Sequence, residues 1–380
     1  MTEILLWAGY FAVFAFLVHK GRSKDAVLSG SVGFGVQAFA YVATYISAVA
    51  LVGFGGLAHA YGLQMLLVAA GNVWFGTWAV YRFLAWPTRK WQERLGARTP
   101  AQLLGLGHGS PSLTRAMAFV FALFLGVYGS AVIKGAALLL AEILPMPVWA
   151  LIWLVAIIVG LTVFIGGLRG VLYTEAMQGV VMLVGMLMLV GAIFSKVGGP
   201  WEGMQALAAL PPGDLANNGF VSLSGGERGL FILSLVVVTS IAVWAQPQMI
   251  QRHFAIADPR QLKKTTPLAM FILTVLVGGA YFAAALSRLI LPEAASPDEV
   301  MPRLVQMLLP EFALHIFVLA IVSASLSTAT GIYHIAVSAL SEDLRGRPSS
   351  RLSWFTGIAV CVLVSGGCAQ IKGQLVALLC

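Results

Sequence analysis

Apolar stretches about as long as a bilayer is thick recur along the whole sequence, and they constrain its fold most strongly. A helix needs about 20 apolar residues to cross a bilayer, and only helices or closed barrels satisfy all backbone hydrogen bonds in lipid. Charged or Pro/Gly-rich breaks delimit ten stretches: 3–19, 31–58, 62–86, 113–142, 147–167, 171–195, 229–252, 267–291, 311–340 and 352–372. The sequence therefore predicts an all-α polytopic membrane protein that forms one transmembrane domain, 1–380.

Composition agrees with a membrane protein and excludes other classes. Hydrophobic residues make up 59% of the chain and charged residues 10%, whereas soluble domains average about 45–50% and about 25%. Disordered chains are poor in apolar residues. The net charge of +8 needs no nucleic-acid partner, because membrane proteins keep Lys and Arg on the cytoplasmic side. The stretches lack paired carboxylates, a catalytic triad and nucleotide-binding motifs, so we expect neither an enzyme nor an organic cofactor.

Basic residues predict the orientation of the chain. Lys20, Arg22 and Lys24 follow the first stretch, no positive charge precedes it, and no Ala-x-Ala cleavage pattern is present. This asymmetry indicates a retained first helix with its N-terminus outside. With alternating directions, 17 Lys and Arg fall in cytoplasmic breaks and 5 in external ones. We predict a multi-pass protein of the plasma membrane, with room for a short helix in the external break 196–228.

Two stretches contain sequences that interrupt a helix. Residues 43–47 and the glycines at 53–56 break the second stretch, and Gln246-Pro247-Gln248 breaks the seventh. Proline removes a backbone donor and frees the carbonyl one turn earlier. Irregular backbone at membrane depth is tolerated where it lines a cavity or is buried in protein. Interrupted segments in corresponding positions of two halves point to a transporter binding site.

The ninth stretch carries hydroxyl groups suited to a hard cation. Ser327 and Thr328 lie one turn after the carbonyl of Ala324. Such hydroxyls in membrane helices usually bond only the carbonyl of the preceding turn. Freed carbonyls of the broken second stretch would complete an oxygen site, and sodium is the ion expected in such an arrangement.

Several motifs resemble those of the sodium/solute symporters, specifically their proline and pantothenate branch. Gly166-Gly167 followed by Thr174-Glu175 and Gln178 is similar to the family's cytoplasmic signature. Gln246-Pro247-Gln248 with Arg252 is similar to its broken-helix exit. Leu326-Ser327-Thr328 followed by Ser341-Glu342-Asp343 is similar to its sodium-binding helix and the end of that helix. The resemblance covers nearly the whole chain.

The resemblance implies a leucine-transporter-like 5+5 inverted repeat after one extra N-terminal helix. The extra helix would be 3–19, the first repeat 31–195 and an incomplete second repeat 229–372. The implied sodium ligands are the carbonyls of Ala43, Ile46 and Ala324 and the hydroxyls of Ser327 and Thr328. The implied solute cavity is lined by Tyr45, Ser47, Gln246 and Gln248. Glu175 matches an acidic residue on the family's inner ion path, where Asp is usual.

Lys134 is the one basic residue well inside a stretch, and an intramembrane charge is a functional candidate by default. We expect it to bind a carboxylate of the solute, or alternatively to extend toward the outer interface near Glu142. The predicted function is sodium-coupled symport of a small polar solute (amino acid, carboxylate or vitamin) by a monomeric unit in the lipid bilayer. The sequence ends where the family's tenth core helix is expected. A sensory membrane module and an inactive transporter fragment are therefore the alternatives.

Overall fold

The fold is described from a computed structural model for residues 2–23, 25–141, 144–224, 226–291 and 297–371. Its α-helices are α1 Thr2–Lys20, α2 Phe34–Tyr45, α3 Ala48–Tyr61, α4 Leu66–Val73, α5 Trp86–Leu95, α6 Pro100–Gly107, α7 Pro111–Ala141, α8 Val148–Val197, α9 Pro200–Ala208, α10 Gly229–Ser240, α11 Pro247–His253, α12 Pro259–Leu273, α13 Gly279–Leu286, α14 Pro297–Leu308, α15 Glu311–Ser338 and α16 Arg351–Ala369. 3₁₀- and π-helical segments connect several of them, and the longest is the π-helix Trp74–Ala85 of 12 residues. Across the described ranges, β-pairing is limited to one isolated bridge between Gly213 and Ala216.

Seven helical segments of the described chain are long and apolar enough to cross a membrane. The bent pair α10–α11 makes eight if it is counted as one span. This architecture confirms an all-α, multi-pass membrane protein, while the count of ten segments and the inverted repeat remain predictions. The predicted break between 167 and 171 is a kink inside α8 rather than a loop. Gly167 alone departs from helical geometry there, with φ 53° and ψ −160°.

Gly167 has a steric reason for this backbone conformation. A Cβ atom at this position would lie 2.8 Å from the Cα and the carbonyl oxygen of Ala26. The close approach lets the Leu168 amide donate to the Ala26 carbonyl at 2.9 Å. The kink in α8 is thereby joined to the segment that links α1 to α2.

Both interruptions are present, but the prediction that the glycines at 53–56 take part in the first one was wrong. These glycines lie within α3, because helix propensity is a weak preference that packing overrides, and Gly55 packs against Met301 of α14. Helix α2 ends at Tyr45 and α3 begins at Ala48, with Ile46 and Ser47 in extended conformation. In the seventh stretch Gln246 is extended (φ −67°, ψ 120°), and the chain bends by 54° there. Proline at 247 explains this bend, because it cannot donate the hydrogen bond that would continue the helix.

Helix α15 lies at the centre of the bundle, and α1 lies at its edge. Of the most apolar part of α15, 72% is buried, against 17% for α1. Helix α15 packs on α7, α8 and α2, whereas α1 contacts α8 and α15. That α1 is an extra helix outside a repeated core remains a prediction. Most buried hydroxyls of α15 bond to protein groups, whereas those of Ser325 and Tyr333 are buried without a hydrogen bond.

Four short helices fall in breaks between the predicted stretches. Helix α9 occupies the break 196–228, where the sequence left room for a short helix. Helices α5, α6 and α14 lie in breaks for which no structure was predicted, and α14 packs against α3. Pro100 and Pro297 start α6 and α14, where a missing amide hydrogen costs nothing.

Candidate cation and solute site

The interruption between α2 and α3 faces the hydroxyl groups of α15. The Ser327 hydroxyl donates to the carbonyl of Ala43 at 2.7 Å, although 284 residues separate the two. Both residues are fully buried. Because the helical hydrogen-bond pattern stops at Tyr45, the Ala43 carbonyl is available to an oxygen from another helix.

The carbonyl of Ala324 lies on the other side of the same hydroxyl. Ser327 Oγ is 3.0 Å from this oxygen, and Thr328 Oγ1 is also 3.0 Å from it. Two carbonyl and two hydroxyl oxygens therefore converge, with only the two hydroxyl hydrogens to share between them. If the hydroxyls turned their hydrogens away, all four oxygens could present lone pairs to one cation.

The structure thus brings together four of the five predicted sodium-ligand residues. Ile46, the fifth, lies in the interruption three residues after Ala43, and its amide donates to the Val42 carbonyl at 3.0 Å. It is fully buried. Its extended backbone leaves the Ile46 carbonyl outside both flanking helices.

The predicted solute residues surround the two interruptions. Tyr45 donates its hydroxyl hydrogen to the Thr239 carbonyl of α10 at 2.8 Å. The Gln248 amide donates to the side-chain oxygen of Gln246 at 3.0 Å, while the Gln248 side-chain oxygen is buried without a hydrogen bond. Ser47 is buried at the start of α3. These groups are neutral donors and acceptors, suited to a polar solute.

Lys134 on α7 contacts the end of α16. Its Nζ donates to the Ile371 carbonyl at 2.8 Å, and the side chain is half-buried. Glu142, near which Lys134 would lie if it extended toward the outer interface, is outside the described residues. A carboxylate-binding role for Lys134 therefore remains a prediction.

Glu175 forms an ion pair with Arg252 in the protein interior. Both side chains have zero exposure. Arg252 also donates from Nε to the Thr44 hydroxyl at 3.1 Å and from Nη1 to the Gln248 carbonyl at 2.8 Å. The pair therefore joins α8 and α11 to the last turn of α2, next to the interruption.

Sequence reasoning missed the position of Arg252. It counted this residue among the basic groups of a cytoplasmic break, whereas the structure buries it completely. Burial of a charge is costly unless it is paired, and Glu175 supplies the countercharge. One signal was available: Arg252 lies one helical turn after Gln248, and thus on the same face of α11 as that predicted solute residue.

One carboxylate–histidine group lies at the start of α1 and of α15. Ligand atoms of Glu3, Glu311 and His315 all lie within 4.8 Å of one another. Trp7 Nε1 donates to His315 Nδ1 at 3.3 Å, so the neutral ring carries its proton on Nε2, the nitrogen nearer Glu3. In that tautomer Nε2 offers no lone pair to a metal, so the residues as arranged do not fit one.

Comparisons with known proteins agree with this architecture. The model of the sodium:solute symporter family matches residues 27–364. The chain is 27% identical to the sodium/pantothenate symporter of Haemophilus influenzae, over 87% of this chain and 69% of that protein. It is 26% identical to the high-affinity proline transporter of Bacillus subtilis, over 90% and 71%. The chain spans about two thirds of the length of the curated relatives it matches.

The fold is similar to that of a solved sodium-coupled transporter. A Na+-coupled sialic acid symporter, solved in a substrate-bound outward-open state, superposes with a TM-score of 0.78 at 17% identity. The match covers 97% of this chain and 82% of that one. The members of the matched family are transporters rather than enzymes. Because the family model covers most of the sequence, the chain belongs to the sodium:solute symporter family.

Proposed function

We propose that this protein couples the movement of one sodium ion to inward transport of a small polar solute by alternating access. The observation that carries the proposal is the contact of the Ser327 hydroxyl with the Ala43 carbonyl across the α2–α3 interruption. Half-helix carbonyls and hydroxyls are the groups that bind sodium in transporters with broken helices. The relatives' names, sodium/pantothenate symporter and proline transporter, support both the ion and the kind of solute.

In this proposal sodium takes the place of the direct Ser327–Ala43 bond. Its ligands are the carbonyls of Ala43, Ile46 and Ala324 and the hydroxyls of Ser327 and Thr328. An ion held by both α2 and α15 stabilises the arrangement in which these helices are close. Sodium and solute then raise each other's affinity, because both favour the same state of one equilibrium.

The solute lies beside the ion, between the two interruptions. Tyr45, Ser47, Gln246 and Gln248 provide neutral hydrogen-bonding groups, and the buried, unbonded oxygen of Gln248 is a free acceptor for it. Amino acids, small carboxylates and vitamins fit this chemistry. Lys134 would supply the countercharge for an anionic solute.

One sodium ion is enough to drive accumulation. Moving one charge through 100 mV yields about 2.3 kcal/mol, and a tenfold sodium gradient adds about 1.4 kcal/mol. The total corresponds to a solute gradient of several hundred-fold. We propose that this takes place in the plasma membrane with the N-terminus outside, and that Glu175 lies on the inner ion path or gates it.

Sodium binding by the purified chain tests the proposal directly. Ser327→Ala and Thr328→Ala should each weaken binding of ²²Na+ about tenfold or more, because each removes an ion ligand worth about 1.5–3 kcal/mol. Ser338→Ala is the matched control. This hydroxyl is also buried in α15, but it bonds only the carbonyl one turn earlier, that of His334 at 2.7 Å. Equal sodium affinity in all four proteins would refute the site.

Uptake in proteoliposomes then identifies the solute. A sodium jump should drive uptake of at least one compound in a panel of amino acids, short acids, vitamins and sugars. Sodium binding without uptake of any would refute transport by this chain while leaving the ion site intact.

A further inference from the structure

A group of charged side chains joins the linker between α1 and α2 to the π-helical segment Ala339–Asp343, which extends the end of α15. Arg98, between α5 and α6, donates from Nη1 and Nη2 to the two carboxylate oxygens of Asp25, at 2.9 Å each. Its Nε donates to Glu342 at 2.6 Å, and only 2% of the Glu342 side chain is exposed. Because all three nitrogens of the planar guanidinium donate hydrogen bonds, Arg98 fixes the position of Asp25 relative to Glu342.

The charge on Arg98 is stabilised in this position. Partial burial opposes it, but the hydrogen bonds and charges of Asp25 and Glu342 outweigh that effect and raise the pKa of Arg98 above its ordinary value. Asp343 adds a third carboxylate next to Glu342. The Thr99 hydroxyl holds it at 2.9 Å.

Asp25 also shapes the linker itself. One of its carboxylate oxygens accepts from the amides of Val27 and Leu28, at 3.0 and 3.2 Å. The carbonyl of Ala26, the residue after Asp25, accepts a hydrogen bond from the Leu168 amide at the kink of α8. This carbonyl also lies 2.8 Å from His334 Nε2 on α15. Arg98 therefore acts on a linker that already contacts α8 and α15.

The linker leads into the helix that carries the proposed sodium ligands. Helix α2 begins at Phe34, and its last turn contains Ala43. To move away from α15 at its starting end, α2 must take the linker with it. Arg98 opposes that movement because it bonds the linker and the end of α15 together.

We infer that Arg98 is a positioning residue that latches α2 to α15 at their predicted cytoplasmic ends, and that this latch must open before solute leaves on that side. The inference rests on the proposed transport function. Without Arg98, the carboxylates of Asp25 and Glu342 face each other with no cation between them, and their repulsion favours opening. A cavity of about 530 Å³ lined in part by Arg98, Gln102 and Glu342 adjoins the latch, so water can solvate these charges as they separate.

Cysteine labelling of the linker measures the opening. Val32 is 6% exposed, and Val32→Cys nearly preserves side-chain volume. In a background with Cys361, Cys368 and Cys380 replaced by serine, the labelling rate by a polar maleimide in nanodiscs reports how often the linker separates. Arg98→Gln should raise the sodium-free rate about tenfold, which corresponds to about 1.4 kcal/mol of lost latch stability.

Arg94→Gln is the matched control. It removes the same charge from the neighbouring helix α5, where the Arg94 guanidinium lies over the Trp91 ring. It should label like the parent. Asp25→Asn should reproduce the Arg98→Gln effect, and the double variant should add little, because both changes break the same bond.

The effect of sodium on the labelling rate distinguishes opening of a latch from loss of folding. In the Arg98→Gln protein sodium should still suppress labelling, but about tenfold more sodium should be needed to reach the labelling rate of the parent, because binding to the closed state must offset a tenfold larger open population. Fast labelling that sodium does not suppress, while sodium suppresses it in the parent, would indicate unfolding and overturn the latch. A rate equal to that of Arg94→Gln would overturn it as well. If sodium has no effect even in the parent, the proposed coupling fails, whereas a faster sodium-free rate in Arg98→Gln still supports the latch.

Discussion

The buried Glu175–Arg252 pair allows a quantitative test of how the centre of this membrane protein is stabilised. Both side chains have zero exposure, so removing one leaves a full charge in a medium that solvates it poorly. Breaking a buried pair in this way typically costs about 3–5 kcal/mol. Glu175→Gln retains an acceptor for the guanidinium, and Arg252 retains its bonds to Thr44 and Gln248. We therefore expect a loss near the lower limit, about 3 kcal/mol.

Arg252→Leu should also destabilise the protein. It leaves Glu175 without its countercharge and with a second oxygen that is buried without a hydrogen bond, so we expect a loss within the range of about 3–5 kcal/mol for a broken buried pair. The double variant Glu175→Gln/Arg252→Leu contains no buried charge at this position. It should be more stable than Arg252→Leu alone, because an uncharged pair avoids the desolvation penalty.

The assay is reversible unfolding by sodium dodecyl sulfate in mixed micelles, followed by circular dichroism. Glu299→Gln is the control, because the Glu299–Arg303 pair is exposed (43% and 48%) and such pairs contribute less than about 1 kcal/mol. If Glu175→Gln unfolds at the same detergent fraction as Glu299→Gln, the argument from burial is wrong. The same conclusion follows if the losses of the two single variants simply add in the double variant.

Three further predictions concern single positions. Gly331→Ala places a Cβ 2.8 Å from the guanidinium of Arg252 and 3.3 Å from the carboxylate of Glu175. It should therefore lower the free energy of unfolding by about 1–3 kcal/mol in the same detergent titration. Stability equal to that of the parent would show that the pair moves freely. Gly167→Ala should cost a similar amount, since φ 53° is strained for alanine. Gly191→Ala, in open space within the same helix, should be neutral or stabilising, and similar values for both would contradict the steric account of the kink. Lys134→Ala should reduce uptake of an anionic solute much more than uptake of a neutral one in proteoliposomes, and equal losses would exclude a carboxylate-binding role.

The interruptions illustrate what local sequence can predict. Proline at 247 and the weak helix formers at 43–47 predicted two breaks, and both are present at Gln246 and at Ile46–Ser47. The glycines at 53–56, which were expected to widen the second of these breaks, lie within α3 instead. A missing amide hydrogen or a low helix propensity acts on the backbone where it occurs, so it can be predicted without knowledge of the neighbours. The break predicted between 167 and 171 lies at the kink at Gly167, but it is a kink within one helix and does not separate two helices.

The ion-pair partners illustrate what local sequence does not predict. Nothing around Arg252 distinguished it from the basic residues of a membrane-flanking loop, because its countercharge is 77 positions away. Arg98 was likewise assigned to a basic break, although its partners come from two other parts of the chain. For the sodium ligands, resemblance to the family supplied the residues, and the structure supplied the contact between Ser327 and Ala43.

Sequence alone was sufficient for the class of protein and for the points where two of its apolar stretches are interrupted. Each of these depends on hydropathy or backbone chemistry within about 20 consecutive residues. The tertiary structure was needed to show that the α2 interruption faces the hydroxyls of α15, that Glu175 neutralises Arg252, and that Arg98 joins the α1–α2 linker to the end of α15. Those relations depend on how helices distant in the chain pack together, because oxygen and charge partners at membrane depth come from whichever helix lies alongside.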